Sequence, residues 1–248
     1  MAVLSQDWNG EVALDGTPGA LDESCRQNGI DRALVMPVAT RPDQVAGINR
    51  WAYSLMQKKT FPHLQFFGAI HPQYEGWAAE LQRLHAWGFK GIKLHPDYQD
   101  FYVDEERMFP LYSLALELGL IILFHAGRDP AFEEIHCPPH RLAALRRRLP
   151  GGVMVAGHMG GENAAEVEEY LLGLDLYLET SMTLTDLPAE RVRRWIAVHG
   201  AEKILFGSDS PWTYQAKSLE AVYKLGLTPA QTAAVIGGNA RKLLKREI

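Results

Sequence analysis

The sequence predicts an α/β fold, a (β/α)8 TIM barrel with about one strand fewer than a closed barrel needs. Three observations carry this. Short apolar runs alternate with helical patterns along the whole chain. Most helical patterns end in a glycine immediately before the next apolar run. The 248-residue length suits one such barrel, which typically needs roughly 250 residues.

The strand candidates are LVMPVA, LQFFGAIHP, GIKLHP, IILFHAG, VMVAGHMGG, LYLETS and ILFGSDSPW. Each is short and nearly all apolar, as expected of strands covered on both faces. Strands alternating with helices imply parallel pairing through right-handed crossovers. The helical patterns include Leu21–Asn28, Trp77–Trp87, Glu106–Leu118, Arg141–Leu149 and Ala189–His199. Gly29, Gly88, Gly119, Gly151 and Gly200 follow them, where a left-handed residue closes a helix. Thr228-Pro229-Ala230-Gln231 has the form of a capping box. No linker or low-complexity tract divides the chain, so residues 1–248 read as a single barrel domain. The runs amount to about seven strands, where a closed barrel needs eight.

Composition narrows the function. A net charge of −5 gives no general attraction to phosphate backbones or anionic lipid, so neither nucleic acid nor membrane is an expected partner. A small-molecule substrate is expected instead. The two cysteines, Cys25 and Cys137, make no disulfide framework and fit a reducing cytosol, hence a cytoplasmic protein. The N-terminus has no signal-peptide pattern, and no apolar run could span a bilayer.

Five strand runs end in a polar residue: His71, His95, His125, His158 and Asp209. Parallel barrel strands point one way, so all five should meet on the C-terminal rim, where barrel enzymes keep their active sites. Strand alternation places Lys93 with His95, Leu123 with His125, Ala156 with His158 and Gly207 with Asp209. Small residues below His158 and Asp209 suit a crowded interior. Imidazoles with one carboxylate suit a divalent ion. Such an ion lowers the pKa of a bound water, and a carboxylate beside it can move the proton. Asp209 is the one acid of the five. Arg128, on the same rim, could bind a substrate carboxylate. His136, Cys137 and His140 read as a plain loop, and His63, His85 and His199 as structural or exposed.

The strings GIKLHPDYQ, ILFHAG, GHMGG, LYLETS, KILFGSDSPW and GGNARKLL together resemble the amidohydrolase-related family of the amidohydrolase superfamily, from about Asp15 onward. The resemblance implies a TIM barrel and one divalent metal, zinc or manganese. It implies metal-dependent hydrolysis of a small amide, ester or lactone, with non-oxidative decarboxylation as the alternative chemistry. It implies metal ligands at His125 and Asp209, with Asp209 also the general acid/base, a role for His158 as either a further metal ligand or the catalytic histidine that polarises substrate, and substrate contacts at His71 and His95. Lys93 lies where some relatives carry a carbamylated lysine, but His95 takes the strand end, so no bridge is expected. Such proteins open with a strand ending His-x-His, and nothing in MAVLSQDWNGEVALDG matches it, so the resemblance implies an incomplete barrel with the first strand absent. The sequence therefore leads us to expect weak metal binding, exposed sheet edges prone to homo-oligomerisation, and a native reading frame that begins upstream. An inactive binding protein on an incomplete barrel is the non-enzymatic alternative.

Overall fold

The computed structural model describes residues 12–245. The opening residues, where the sequence shows no His-x-His strand, lie outside the described residues apart from the last few, from Val12 on. The strands are β1 (Ala33–Val35), β2 (Leu64–Phe66), β3 (Gly68–Ala69), β4 (Gly91–Leu94), β5 (Ile121–Phe124), β6 (Met154–Ala156), β7 (Tyr177–Glu179) and β8 (Ile204–Leu205). β2 and β3 are one extended run: the Phe67 amide between them donates to Val35 O at 2.9 Å. That run pairs with β1 on one side and β4 on the other. From β3 to β8 every strand lies parallel to its sequence neighbour. The result is the expected barrel wall with seven strand positions. Among the described residues β1 and β8 do not pair with each other. LVMPVA is strand only over its first part, and the chain leaves the sheet at Met36.

Alternation sorts the strand side chains into two cores. One set, including Ile92, Leu94, Ile122, Phe124, Met154 and Leu178, packs outward against the helices. The other points into the barrel: Phe67, Ile121, Leu123, Val155 and Leu205, joined by Leu243 from the C-terminal helix Asn239–Leu244. The covering helices are Pro18–Gln27, Val45–Lys58, Trp77–Ala86, Phe109–Glu117, Pro139–Arg148, Ala189–His199 and Gln215–Lys224. Gly29, Gly88, Gly119, Gly151 and Gly200 all have positive φ, as their helix-end positions demand. The Thr228 capping box is formed, with Gln231 returning to the Thr228 amide. No described helix is long and apolar enough to cross a membrane.

The seam between β1 and β8 opens into a cleft of about 2050 Å³ that continues into the barrel interior and reaches the C-terminal rim. Its walls carry Leu34 and Met36 from the β1 side and Leu205 and Phe206 from the β8 side. The edge of β8 is partly covered, because Phe206 N donates to Val235 O at 3.1 Å.

Candidate active site

The rim is assembled by buried amides as well as strands. Gln99, in the turn after β4, accepts from His95 N at 3.0 Å and donates to Ile70 O at 2.6 Å and Ala39 O at 2.9 Å. One side chain thus ties the ends of three neighbouring strands. Behind it, Asn49 accepts from Ala69 N and donates to Ala69 O and Glu80. The loops after β5 and β6 touch backbone to backbone at Gly127 and Gly161. A Cβ on Gly127 would overlap Gly161 Cα and lie 3.1 Å from Gly161 N. Only glycine at both positions lets these loops bring their histidines together.

His95 and His125, buried and following β4 and β5, stack with ring centroids 4.0 Å apart and planes at 13°. His125 Nδ1 lies 3.1 Å from His158 Nε2. His95 Nε2 lies 3.3 Å from Asp129 Oδ2, in the loop after β5. One ligand atom each from His95, His125 and Asp129 falls within 4.8 Å of the others. Burial lowers the pKa of His125 well below the ordinary imidazole value, and the neighbouring His95 and His158 lower it further. Burial also lowers that of His95, against the pull of Asp129. Burial of Asp129 acts to raise its pKa, but hydrogen bonds from His95 and the Ala131 amide outweigh it and leave it lowered. Two neutral imidazoles beside an ionised carboxylate are the donor set a divalent ion requires. The Nε2 of His125 is buried with no hydrogen-bond partner among the described residues. A buried bare nitrogen is costly unless something outside the protein completes it, so these residues fit a metal.

The ligands expected from sequence, His125, His158 and Asp209, are therefore only partly the set the fold groups. His125 belongs to it, while His95 and Asp129 take the other places. The reason for His158 is local. β6 turns Val155 inward and Ala156 toward the helices, so simple alternation would carry His158 outward with Ala156. The backbone instead leaves strand geometry at Gly157, with φ of 53° at His158 and 49° at Met159, and the ring swings back to His125. Asp209 also has a left-handed φ, 52°, and lines the cleft outside the metal-compatible group. Non-glycine residues in this region are strained, and such strain gathers at functional rims.

The other expected residues divide. Arg128 is exposed and lines the cleft, its amide donating to Glu162 at 3.2 Å. Lys93 lines the cleft deeper in the barrel, opposite Leu123, and burial lowers its pKa against the attraction of Asp209 and Glu179. His71 is buried but does not line the cleft, and its Nδ1 accepts from Gln73 N at 3.2 Å. His136 is held by Asp97 and His140 by Glu166, as ordinary loop pairs. His63 meets Asp22, while His85 and His199 bond to the carbonyls of Leu118 and Leu176.

Three further residues of the site are not among the candidates read from the sequence. Asp129 sits in the loop beside Arg128. Glu179 closes β7 and is buried, its carboxylate lying over the bare Cα of Gly207. Ser181, two residues on, joins Glu179 to His158. An acid beside a polar pair in LYLETS was the available signal.

The amidohydrolase family profile matches residues 13–246. No curated protein matches the chain. Among solved structures, 5-carboxyvanillate decarboxylase from Sphingomonas paucimobilis is similar with a TM-score of 0.74 at 18% identity, covering 99% of this chain and 90% of that one. A 5-carboxyvanillate decarboxylase from Novosphingobium aromaticivorans, complexed with manganese and 4-hydroxy-3-methoxy-5-nitrobenzoic acid, gives 0.75 at 17% identity, covering 90% and 79%. An uncharacterised TIM-barrel protein from Bordetella bronchiseptica gives 0.76 at 20% identity, covering 92% and 82%. With the match extending over nearly all of the described fold, the chain belongs to the amidohydrolase family.

Proposed function

We propose that this protein is a metal-dependent, non-oxidative decarboxylase of a small hydroxylated aromatic acid. The observation that carries the reading is the bare, buried Nε2 of His125 beside stacked His95 and Asp129 at the end of a deep cleft. The decarboxylases among the structural relatives, one of them bound to manganese and a hydroxylated aromatic acid, favour decarboxylation over the hydrolysis first expected.

A divalent ion bound by His95, His125 and Asp129 would supply Lewis acidity to substrate oxygens. The chain's own residues do the rest. Arg128, at the mouth of the cleft, offers a guanidinium for a carboxylate. Tyr98, set edge-on to both His95 and Phe132, gives one wall an aromatic surface for a planar ring. When the bond between ring carbon and carboxylate breaks, carbon dioxide leaves and the electron pair remains on the ring carbon. Asp209 is assigned delivery of the proton that this carbon then takes up, a proton it draws from the substrate hydroxyl or solvent.

The test is a panel of hydroxybenzoates offered to manganese- and zinc-loaded protein, with carbon dioxide release followed directly. A parallel panel of esters, lactones and amides is scored for new carboxylate or amine. Carbon dioxide from the first panel is expected. Hydrolysis of the second without carbon dioxide from the first would overturn the reading, and so would metal uptake with turnover of neither.

A further inference from the structure

A continuous hydrogen-bonded chain runs from the buried carboxylate of Glu179 to the candidate metal group. Ser181 Oγ lies 2.6 Å from Glu179 Oε2, and Ser181 N donates to Glu179 Oε1 at 2.7 Å. Ser181 Oγ lies 3.0 Å from His158 Nδ1, which also faces Ser181 O at 3.3 Å. His158 Nε2 then meets His125 Nδ1 at 3.1 Å.

The direction of every proton in this chain follows from its two ends. The Ser181 hydroxyl donates to Glu179 Oε2 and so gives its single proton to that carboxylate. The hydroxyl can then only accept from His158, and the Ser181 carbonyl can only accept too. His158 must therefore carry a proton on Nδ1. In the neutral ring its Nε2 is then a bare acceptor. His125 supplies the proton between the two rings from its own Nδ1. That leaves His125 Nε2 without a proton, and this is the buried nitrogen that has no hydrogen-bond partner among the described residues.

We propose that Glu179 and Ser181 are positioning residues that fix the proton of His158 on Nδ1 and thereby hold Nε2 of His125 bare for a divalent metal. The inference rests on the metal reading of the His95–His125–Asp129 group and adds to it what sets the ligand's tautomer. Outer hydrogen bonds of this kind orient ligand imidazoles in metal sites, and losing one typically weakens metal binding about 10–100-fold. Here the control acts at one remove, through a second histidine. Gly207 is part of the device, since any side chain there would overlap the Glu179 carboxylate.

The test uses the full chain and two readouts. Nitrogen-15 spectra of the histidine rings in metal-free protein report the tautomers, and titration with manganese alone reports affinity. Wild type should show Nδ1–H at both His158 and His125. Glu179→Gln keeps the shape but replaces one acceptor by an amide donor. An amide proton facing Ser181 turns the hydroxyl toward His158 Nδ1 and drives both rings toward Nε2–H. Manganese affinity should fall roughly 10–100-fold. Ser181→Thr keeps the hydroxyl and should retain wild-type tautomers, while Ser181→Ala should give mixed tautomers and an intermediate loss. If Glu179→Gln does not fold, the threonine and alanine variants at Ser181 decide. A proton on His125 Nε2 in wild type, or unchanged tautomers and affinity in both Glu179→Gln and Ser181→Ala, would overturn the proposal. Wild-type tautomers as expected with no manganese uptake would support the proton placement and overturn the metal reading instead.

Discussion

Gly207→Ala is a sharp perturbation of the rim because it adds one methyl group where there is no room for it. The new Cβ would overlap Oε1 and Cδ of Glu179 and sit 3.1 Å from its Cγ. Gly207 does not have positive φ, so backbone strain plays no part and only the overlap matters. The carboxylate must move, and it then loses the Ser181 N and Oγ bonds at 2.7 and 2.6 Å and a longer contact to His158 N at 3.4 Å. A hydrogen bond to a charged group contributes about 1.5–3 kcal/mol, and overpacking costs about 1–3 kcal/mol. Partial relaxation into the cleft recovers some of this, so the net loss should be about 3–5 kcal/mol. For a chain of this size each kcal/mol moves Tm by roughly 2–4 °C, which puts the expected drop at roughly 6–20 °C. Calorimetry or thermal circular dichroism measures it. The control is Gly47→Ala, in the helix Val45–Lys58, where a Cβ meets nothing within 4 Å. That change should instead stabilise by about 0.5–1 kcal/mol. A Gly207→Ala protein melting within about 2 °C of wild type would refute the packing of Glu179 against Gly207.

Further outcomes follow from the same contacts. Asn49→Ala should cost about 3 kcal/mol or more in denaturant unfolding, because it strands the buried Ala69 amide and carbonyl and leaves Glu80 short of a donor. Arg128→Ala should raise KM about tenfold for an acidic substrate with a smaller change in kcat, since an exposed guanidinium contributes binding rather than chemistry. Stability should fall as pH drops below the unfolded imidazole value of about 6.5. His95, His125 and His199 are each lowered in the fold, first of all by burial, so below that value the unfolded chain takes up protons that the folded one refuses. Their contribution is fully present above about 6.5 and is lost on acidification, and a melting series from pH 8 to pH 5 reads it. A Tm that rises on acidification through that range would contradict the assignment.

Much of the barrel was legible because its strands are buried on both faces. Runs such as IILF and GIKL carry no competing signal, and the glycines after the helices mark the turns. The convergence of His95, His125 and His158 was legible for the same reason, since parallel strands end on one rim. What alternation could not convey is the backbone after the strands end. His158 reaches His125 through a left-handed turn that periodicity does not encode. Asp129 owes its place to a loop held by the Gly127–Gly161 contact, two glycines far apart in sequence. His71 has the same sequence signature as His95 but is not among the residues lining the cleft, and its ring accepts from the Gln73 amide. Glu179 is the clearest case. It closes a strand as the histidines do, and the absence of a side chain at Gly207, just beyond the next strand, makes room for its burial.

The central claim is that His95, His125 and Asp129 together hold a divalent metal. Anomalous diffraction from crystals soaked in manganese locates such an ion directly. The account predicts a single strong peak within bonding distance of His125 Nε2, His95 and Asp129. A peak held by His158 and Asp209 without His95, or no peak at saturating manganese, would contradict it.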